Sequence, residues 1–176
     1  DGLPSDLPLM MMVSLQQPHF PLLAPEELFN KYISRVTPYQ DCGPSGHALL
    51  DHGRIGPADD VIADHIQQAT AAYAAMVEKT DHRFARVLKT IEDNGQNLED
   101  WLIVFTSDHG DMLGEHGLWG KRKFYEGSAK IPLFLRGPGI APGTCSRNVN
   151  LIDLFPTLCQ AANLPTPSNL DGHSLL

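Results

Sequence analysis

Three short apolar runs and one long amphipathic segment dominate the pattern along this chain. The runs lie at residues 9–15, 101–105 and 131–136, and each has the length of a buried β-strand. The first run stops before Pro18, whose missing N–H ends a sheet ladder, and the third stops at Gly137. The pattern therefore predicts three strands, with the first in the centre of a sheet.

The amphipathic segment at residues 59–93 has the period of a helix. Its apolar positions recur at spacings of three, four and seven: Ile66, Ala69, Tyr73, Met76, Val77, Phe84, Val87, Leu88 and Ile91. Gly95 supplies a left-handed stop after it. A shorter helix is predicted to begin at Pro25, and a last one covers residues 151–162, kinked or restarted at Pro156.

Strands that alternate with helices predict an α/β fold, with a mainly parallel sheet flanked by helices. Residues 34–58 show no convincing period and contain several prolines and glycines, so we interpret them as one long loop. A chain of 176 residues fits a single domain.

Composition and charge argue against several classes of function. The formal net charge of −8 disfavours non-specific nucleic-acid binding. No apolar run approaches the ~18 residues that a membrane span needs. Three cysteines without metal-type spacing argue against a disulfide framework, and no signal-peptide pattern opens the chain. The compartment and the oligomeric state, with a homo-oligomer as one alternative, are left open.

Polar side chains with useful chemistry stand where the predicted strands give way to loops. His19 follows the first strand, and Asp108 and His109 follow the second. An adjacent carboxylate and imidazole at the carboxyl end of a strand can both reach a divalent cation. The glycine-rich segment at residues 114–120 then leads to Lys121, a mobile cation suited to an anionic substrate rich in oxygen.

Each of these residues also has a plainer interpretation. Asp108 could cap the loop that follows it, since Asp in turns bonds nearby backbone. His19, taken alone, is more typical of a solvated loop. Lys121 belongs to a run with Arg122 and Lys123 that could form a solvated charged surface.

In these motifs the chain resembles the sulfatase family of the alkaline-phosphatase-like superfamily. The matching segments are residues 12–19, 72–78, 105–121, 125–127, 131–133, 150–158 and 170–175. The Asp-His pair at residues 108–109 and the run GEHGLW at residues 114–119 are most similar to the choline-sulfatase and phosphonate monoester hydrolase branch. The resemblance implies that residues 1–176 are the carboxyl-side part of an alkaline-phosphatase-like catalytic domain, with a substrate-side loop at about residues 34–58.

The resemblance also implies a role for each candidate residue. Asp108 and His109 match two protein ligands of a divalent metal, usually Ca²⁺, with Mn²⁺ or Mg²⁺ as alternatives. Lys121 matches the residue that contacts the sulfate oxygens, and His19 matches the one that assists departure of the alcohol. The implied activity is metal-dependent hydrolysis of a small sulfated substrate. A phosphate or phosphonate monoester hydrolase and a non-catalytic or truncated sulfatase-like domain are the alternatives.

The family's nucleophile, a formylglycine made from Cys or Ser in a Cys/Ser-x-Pro-x-Arg motif, is expected outside this chain. Residues 42–46 echo that motif, but Gly46 stands where Arg is required, and the segment follows His19 instead of preceding it. We therefore interpret Cys42 as a coincidental loop residue. We also expect the isolated 176 residues to be inactive.

Overall fold

The computed structural model describes residues 9–39, 43–54 and 63–176. The chain divides into two compact units, which are considered separately. The first contains the described residues of Asp1–Ser14, with Glu99–Phe105 and Phe134–Leu176. The second contains those of Leu15–Leu98, with Thr106–Leu133. The predicted α/β class is present in outline, because helices and short strands occur together.

The regular elements of the described residues follow in chain order. The helices are α1 Glu26–Ile33, α2 Ala48–Asp51, α3 Ala63–Asp93, α4 Glu126–Ala129 and α5 Leu154–Ala161. The strands are β1 Ile103–Thr106, β2 Met112–Leu113, β3 Trp119–Gly120 and β4 Leu133–Arg136. Single 3₁₀ turns occupy Leu98–Asp100, Glu115–Gly117 and Leu151–Asp153. In the described part of the chain, no helix has both the length and the apolarity required to cross a membrane.

The helix α3 forms the core of the second unit. It packs against α1 and β2, and the small side chains of Ala71, Ala72 and Ala75 are buried where its neighbours approach. Met76 is 1% exposed, so the apolar stripe predicted from the sequence faces the interior at this position. The helix ends as predicted, with Gly95 at φ +80°. Residues 59–62 of the predicted helix lie outside the described residues.

A partly buried ion pair joins α1 to α3. Glu78 accepts hydrogen bonds from Lys31 Nζ and from Tyr32 Oη, both at 2.6 Å. The hydrogen bonds from Lys31 and Tyr32 hold the pKa of Glu78 below its usual value. Gln67 Nε2 adds a bond of 2.9 Å to the carbonyl of Ile33 at the end of α1. The two helices are therefore joined at the carboxyl-terminal end of α1.

The strands form two small sheets in the described part of the chain. β1 neighbours β4, and the rings of Phe105 and Phe134 lie 5.9 Å apart across them. β2 and β3 are antiparallel, with Met112 opposite Gly120. The predicted strands at 101–105 and 131–136 are thus present in shortened form, whereas the mainly parallel sheet is not seen among the described residues.

The prediction of a central strand at residues 9–15 is wrong for this structure. These residues have no regular secondary structure, and Leu9, Met10 and Met12 are exposed, Met12 to 84%. A strand that buries both faces needs hydrogen-bonding neighbours on both edges. No described strand pairs with this segment, so its apolar composition alone does not make it a strand.

The carboxyl-terminal helix is a 3₁₀ turn that continues into α5. Asn150 and Asp153 form a capping box at its start, because the side chain of each bonds backbone N–H groups of the turn. Pro156 lies in the first turn of α5, where a missing N–H costs nothing. Of the two predicted alternatives, a kink and a restart, the structure shows a restart, which begins at Leu154. The buried Thr157 hydroxyl donates to the carbonyl of Asp153 and accepts from the N–H of Leu175.

Candidate active site

His19 sits on a tight turn with its ring in a defined orientation. Its N–H donates to the carbonyl of Gln16 at 3.0 Å, and its ring stacks on Phe20 with centroids 4.6 Å apart. Nδ1 lies 2.7 Å from the carbonyl oxygen of Phe20. A carbonyl can only accept, so Nδ1 carries the hydrogen, and the neutral ring keeps its lone pair on Nε2.

Lys121 forms a hydrogen bond to the Nε2 lone pair of His19. Its Nζ lies 3.1 Å from His19 Nε2, although the two residues are 102 positions apart in the chain. The ammonium has three N–H donors and no acceptor, so Lys121 donates and the imidazole accepts. The structure therefore brings together a cation and a proton-exchanging nitrogen, which the sequence placed at the ends of different segments.

Asp108 and His109 follow β1 on a turn built from local hydrogen bonds. Asp108 Oδ1 accepts the N–H of His109 at 3.0 Å, and His109 Nδ1 donates to the carbonyl of Gly110 at 2.8 Å. By the same reasoning as for His19, the neutral ring of His109 keeps its lone pair on Nε2. That nitrogen lies 3.5 Å from Asp108 Oδ2. A carboxylate oxygen and an imidazole lone pair therefore stand side by side.

The surroundings of the Asp108 carboxyl group favour its ionised form. Its side chain is 82% exposed, whereas that of His109 is 29% exposed. Partial burial raises the pKa of Asp108, but the positive charge that His109 carries when it is protonated and the hydrogen bonds from backbone N–H groups and Ser107 outweigh it. The net result is a pKa below the usual value for aspartate. The group is ionised at neutral pH, as a metal ligand must be.

Gly110 holds the turn tightly against α4. Its N–H donates to the carbonyl of Ser128 at 2.8 Å. A Cβ at this position would overlap the carbonyl oxygen of Gly127. The Gly in the run Asp-His-Gly is therefore required by close backbone approach, not by turn conformation.

The two pairs of residues lie in the same unit but are not joined by a described contact. All four residues belong to the second unit. Over residues 9–39, 43–54 and 63–176, no hydrogen bond or ion pair links Asp108 or His109 to His19 or Lys121. Within the same ranges, no three His, Cys, Asp or Glu side chains are grouped to hold a metal. The alternative nucleophile Cys42 lies outside the described residues.

The pair at 108–109 fits a divalent cation as part of a ligand set. One ionised oxygen donor and one nitrogen donor with its tautomer fixed are two acceptable ligands. They cannot satisfy Ca²⁺ alone, because this cation takes six to eight ligands. The remaining ligands would have to come from other groups.

An open groove of about 550 Å³ runs beside this turn in the second unit. Its lining includes Tyr39, Tyr73, Asp111, Glu115 and Lys130. Burial, together with the negative charges of Asp111 and Glu115, raises the pKa of Tyr73 to about 12. The groove therefore carries a neutral phenol between carboxylates.

Sequence reasoning did not identify two contacts made by residues near His19 or Lys121 in the sequence. His116, at φ 56°, stacks on Tyr125 with ring centroids 4.1 Å apart, and these two residues flank Lys121 in the chain. Arg83 of α3 donates to the side chain of Gln17, two residues before His19. No local pattern marks an arginine on the polar side of a helix as a partner for a residue 66 positions away.

A comparison with known protein families decides the classification. The sequence model of the Sulfatase family matches residues 3–164, most of the chain. The chain belongs to the sulfatase family. Choline-sulfatase of Rhizobium meliloti (strain 1021) is 35% identical to this sulfatase chain over 164 residues, 89% of the chain and 32% of the relative. Arylsulfatase K of Danio rerio is 38% identical over 114 residues, 64% of the chain and 22% of the relative.

Solved structures give the same grouping for this sulfatase chain. The phosphonate monoester hydrolase SpPMH from Silicibacter pomeroyi superposes with a TM-score of 0.72 at 29% identity, over 90% of the chain and 34% of that structure. The phosphonate monoester hydrolase of Agrobacterium radiobacter gives 0.62 at 35% identity, over 68% and 24%. The chain thus spans about a third of the length of the first relatives that it matches.

Proposed function

We propose that this chain is part of a metal-dependent sulfuric ester hydrolase that acts on a small sulfated substrate. The observation that carries the proposal is the 3.1 Å approach of Lys121 Nζ to His19 Nε2. An amine and an imidazole held together suit a reaction in which an anionic ester gains charge and an alcohol leaves. Membership of the sulfatase family and a choline-sulfatase among the relatives support the same reaction.

In this proposal Lys121 acts on the sulfate oxygens and His19 acts on the leaving alcohol. Lys121 donates hydrogen bonds to the sulfate oxygens, which become more negative as the bond to the alcohol breaks. His19 keeps Nδ1–H on the carbonyl of Phe20, so proton exchange is confined to Nε2. For this step the ring enters as the imidazolium, and its Nε2–H gives the proton to the departing alcohol oxygen while Lys121 bonds the sulfate oxygens. The neutral ring that remains has its Nε2 lone pair free to accept from Lys121.

Asp108 Oδ2 and His109 Nε2 would hold the divalent cation, Ca²⁺ by preference, with Mn²⁺ or Mg²⁺ as alternatives. When bound, such a cation supplies positive charge that polarises the ester and favours ionisation of the nucleophile. The remaining ligands and the formylglycine nucleophile are proposed to lie outside these 176 residues, since the chain spans about a third of its relatives.

A phosphonate monoester hydrolase is the second candidate. The solved structure that covers 90% of this chain has that activity in its name. Both reactions need a metal-assisted attack on a tetrahedral anion, so the described residues serve either one. A non-catalytic sulfatase-like domain is the third candidate, and it predicts that neither ester is turned over.

The test is turnover of paired esters by the full-length protein. We would compare an aryl sulfate with the matched aryl phosphonate monoester, with Ca²⁺, Mn²⁺ or Mg²⁺ added after chelation. A higher kcat/KM for the sulfate supports the proposal, and a higher value for the phosphonate selects the second candidate. No turnover of either ester under any of the metals would leave only the non-catalytic domain.

A further inference from the structure

We infer that Arg83 is a positioning residue for His19, acting through the side chain of Gln17. The inference rests on the proposed function, because it states that Arg83 orients the His19 imidazole, which exchanges a proton with the leaving alcohol. It adds a residue on α3, outside the candidate site, to the machinery of the reaction.

Two side chains of α3 hold Gln17. Arg83 Nη1 donates to Gln17 Oε1, and Thr80 Oγ1 lies 3.5 Å from the carbonyl oxygen of Gln17. Thr80 Oγ1 also lies 2.9 Å from the carbonyl of Met76, so its position is set by the helix. Residues three and four apart share one helix face, which places Met76, Thr80 and Arg83 in a row. Met76, the first residue of this row, is 1% exposed, so the row is anchored in the core.

Holding Gln17 also holds His19. The bond from His19 N–H to the carbonyl of Gln16 closes a turn with Gln17 inside it. A turn with a central residue that is bonded to α3 through its side chain has few other conformations. The ring is then oriented by its bond to Phe20 and by Lys121. Lys121 must also reach the sulfate oxygens, so an anchor that does not touch the substrate keeps Nε2 aimed during the reaction.

The plainer role for Arg83 is structural. It lines a groove of about 640 Å³ between α1 and α3, together with Lys31, Glu78, Lys79 and Arg86. A purely structural arginine would lower stability and reduce turnover of every ester by the same factor. A positioning residue instead has its largest effect where the leaving group most needs a proton. Leaving-group dependence therefore separates the two roles.

The experiment compares Arg83→Gln with Arg86→Gln in the full-length protein. Both changes remove one positive charge from the same helix and the same groove, but no hydrogen bond joins Arg86 to residues 16–20 in the described part of the chain. For Arg83→Gln we expect kcat to fall about 10- to 100-fold on an alkyl ester, and by less than about threefold on a nitrophenyl ester. Arg86→Gln is expected to leave both rates unchanged, and Arg83→Lys is expected to restore part of the alkyl rate.

Hydrogen exchange provides a readout that does not depend on activity. The backbone amide of His19 should exchange faster in Arg83→Gln than in wild type, and Arg86→Gln should not change it. If Arg83→Gln does not fold, Gln17→Leu removes the acceptor from the other side. Unchanged exchange, equal losses on the two esters, or the same effect from Arg86→Gln would overturn the inference. A wild-type protein without turnover would instead refute the proposed function, and exchange would still decide whether Arg83 holds the turn.

Discussion

The two halves of the candidate site are held in opposite ways. The side chains of Asp108 and His109 are oriented by bonds between neighbours in sequence, each spanning one or two residues, and the turn that carries them is tied to α4 by the Gly110 N–H. The pair of His19 and Lys121 joins positions 102 apart and depends on α3 to hold one partner. The orientation of the first pair is therefore set locally, whereas the second pair exists only when the second unit is folded around it.

This difference suggests a division of tasks. A local turn can keep a carboxylate and an imidazole beside each other even when the surrounding chain moves, which suits a group that must collect an ion. A long-range contact is sensitive to small shifts, which suits groups that must meet a transition state within a fraction of an ångström.

Removing the amine of the long-range pair should have the largest effect. For Lys121→Met in the full-length protein, we expect kcat on an aryl sulfate to fall about 100- to 1,000-fold, because a preorganised donor to developing charge is lost. Arg122→Gln is the control, since it removes a neighbouring exposed cation. A Lys121→Met rate within about twofold of wild type would refute the assigned role.

Removing the carboxylate of the local pair should weaken metal binding. Asp108→Asn is expected to lower the affinity for Ca²⁺ or Mn²⁺ about 10- to 100-fold, with activity partly restored by excess metal. Titration calorimetry on the metal-free full-length protein would measure the change. The control is Asp111→Asn, which neutralises a carboxylate three residues away. Equal affinities in the two variants would show that Asp108 is not a ligand.

The local turn should also be broken by a single methyl group. Gly110→Ala is expected to lower the free energy of unfolding by about 1–3 kcal/mol, because the new Cβ overlaps the carbonyl oxygen of Gly127. Gly143→Ala is the matched control, since no atom lies within 4 Å of its added Cβ. Urea denaturation would compare them. A Gly110→Ala protein as stable as Gly143→Ala would contradict the packing described at this turn.

The smallest effect concerns the groove beside the turn at alkaline pH. The pKa of Tyr73 is raised from 10.0 to about 12, so the unfolded chain ionises first as the pH rises. This contribution to stability is complete below pH 10 and is lost between pH 10 and about 12. Tyr73→Phe should therefore show a shallower alkaline decline in urea denaturation. Phenolate absorbance would contradict the prediction if all tyrosines titrated near pH 10.

The accuracy of sequence reasoning follows the same local and long-range division. The helix around Met76 and its stop at Gly95 were predicted because period and turn chemistry are local properties. The adjacency of Asp108 and His109 needed only a strand that ends before them. The run at residues 9–15 misled because an apolar composition cannot show whether partner strands are present to bond it. The prediction of a mainly parallel sheet rested on the alternation of strands and helices, and the two short sheets of the described residues do not confirm it.

The site contacts that sequence reasoning missed are those that depend on three-dimensional approach. His19 and Lys121 were chosen separately, at the end of a segment and by family resemblance, and no spacing could give their separation. Arg83 and Gln17 carry no motif, and their bond depends on where α3 passes the turn. Gly110 follows Asp108 and His109 in the sequence, but the reason for a glycine there, the close carbonyl of Gly127, is visible only in the fold.

The helix α3 has a consequence for how this unit can change. Its 31 residues span about 46 Å at about 1.5 Å per residue. Along this helix, α1 is bonded to Glu78 and Gln17 is bonded to Arg83. The two attachment points are less than two turns apart. Any mutation that rotates or shifts this stretch of α3 moves both α1 and Gln17. Sequence changes in α1 are therefore constrained by the orientation of the His19 imidazole, although no described hydrogen bond joins α1 to it.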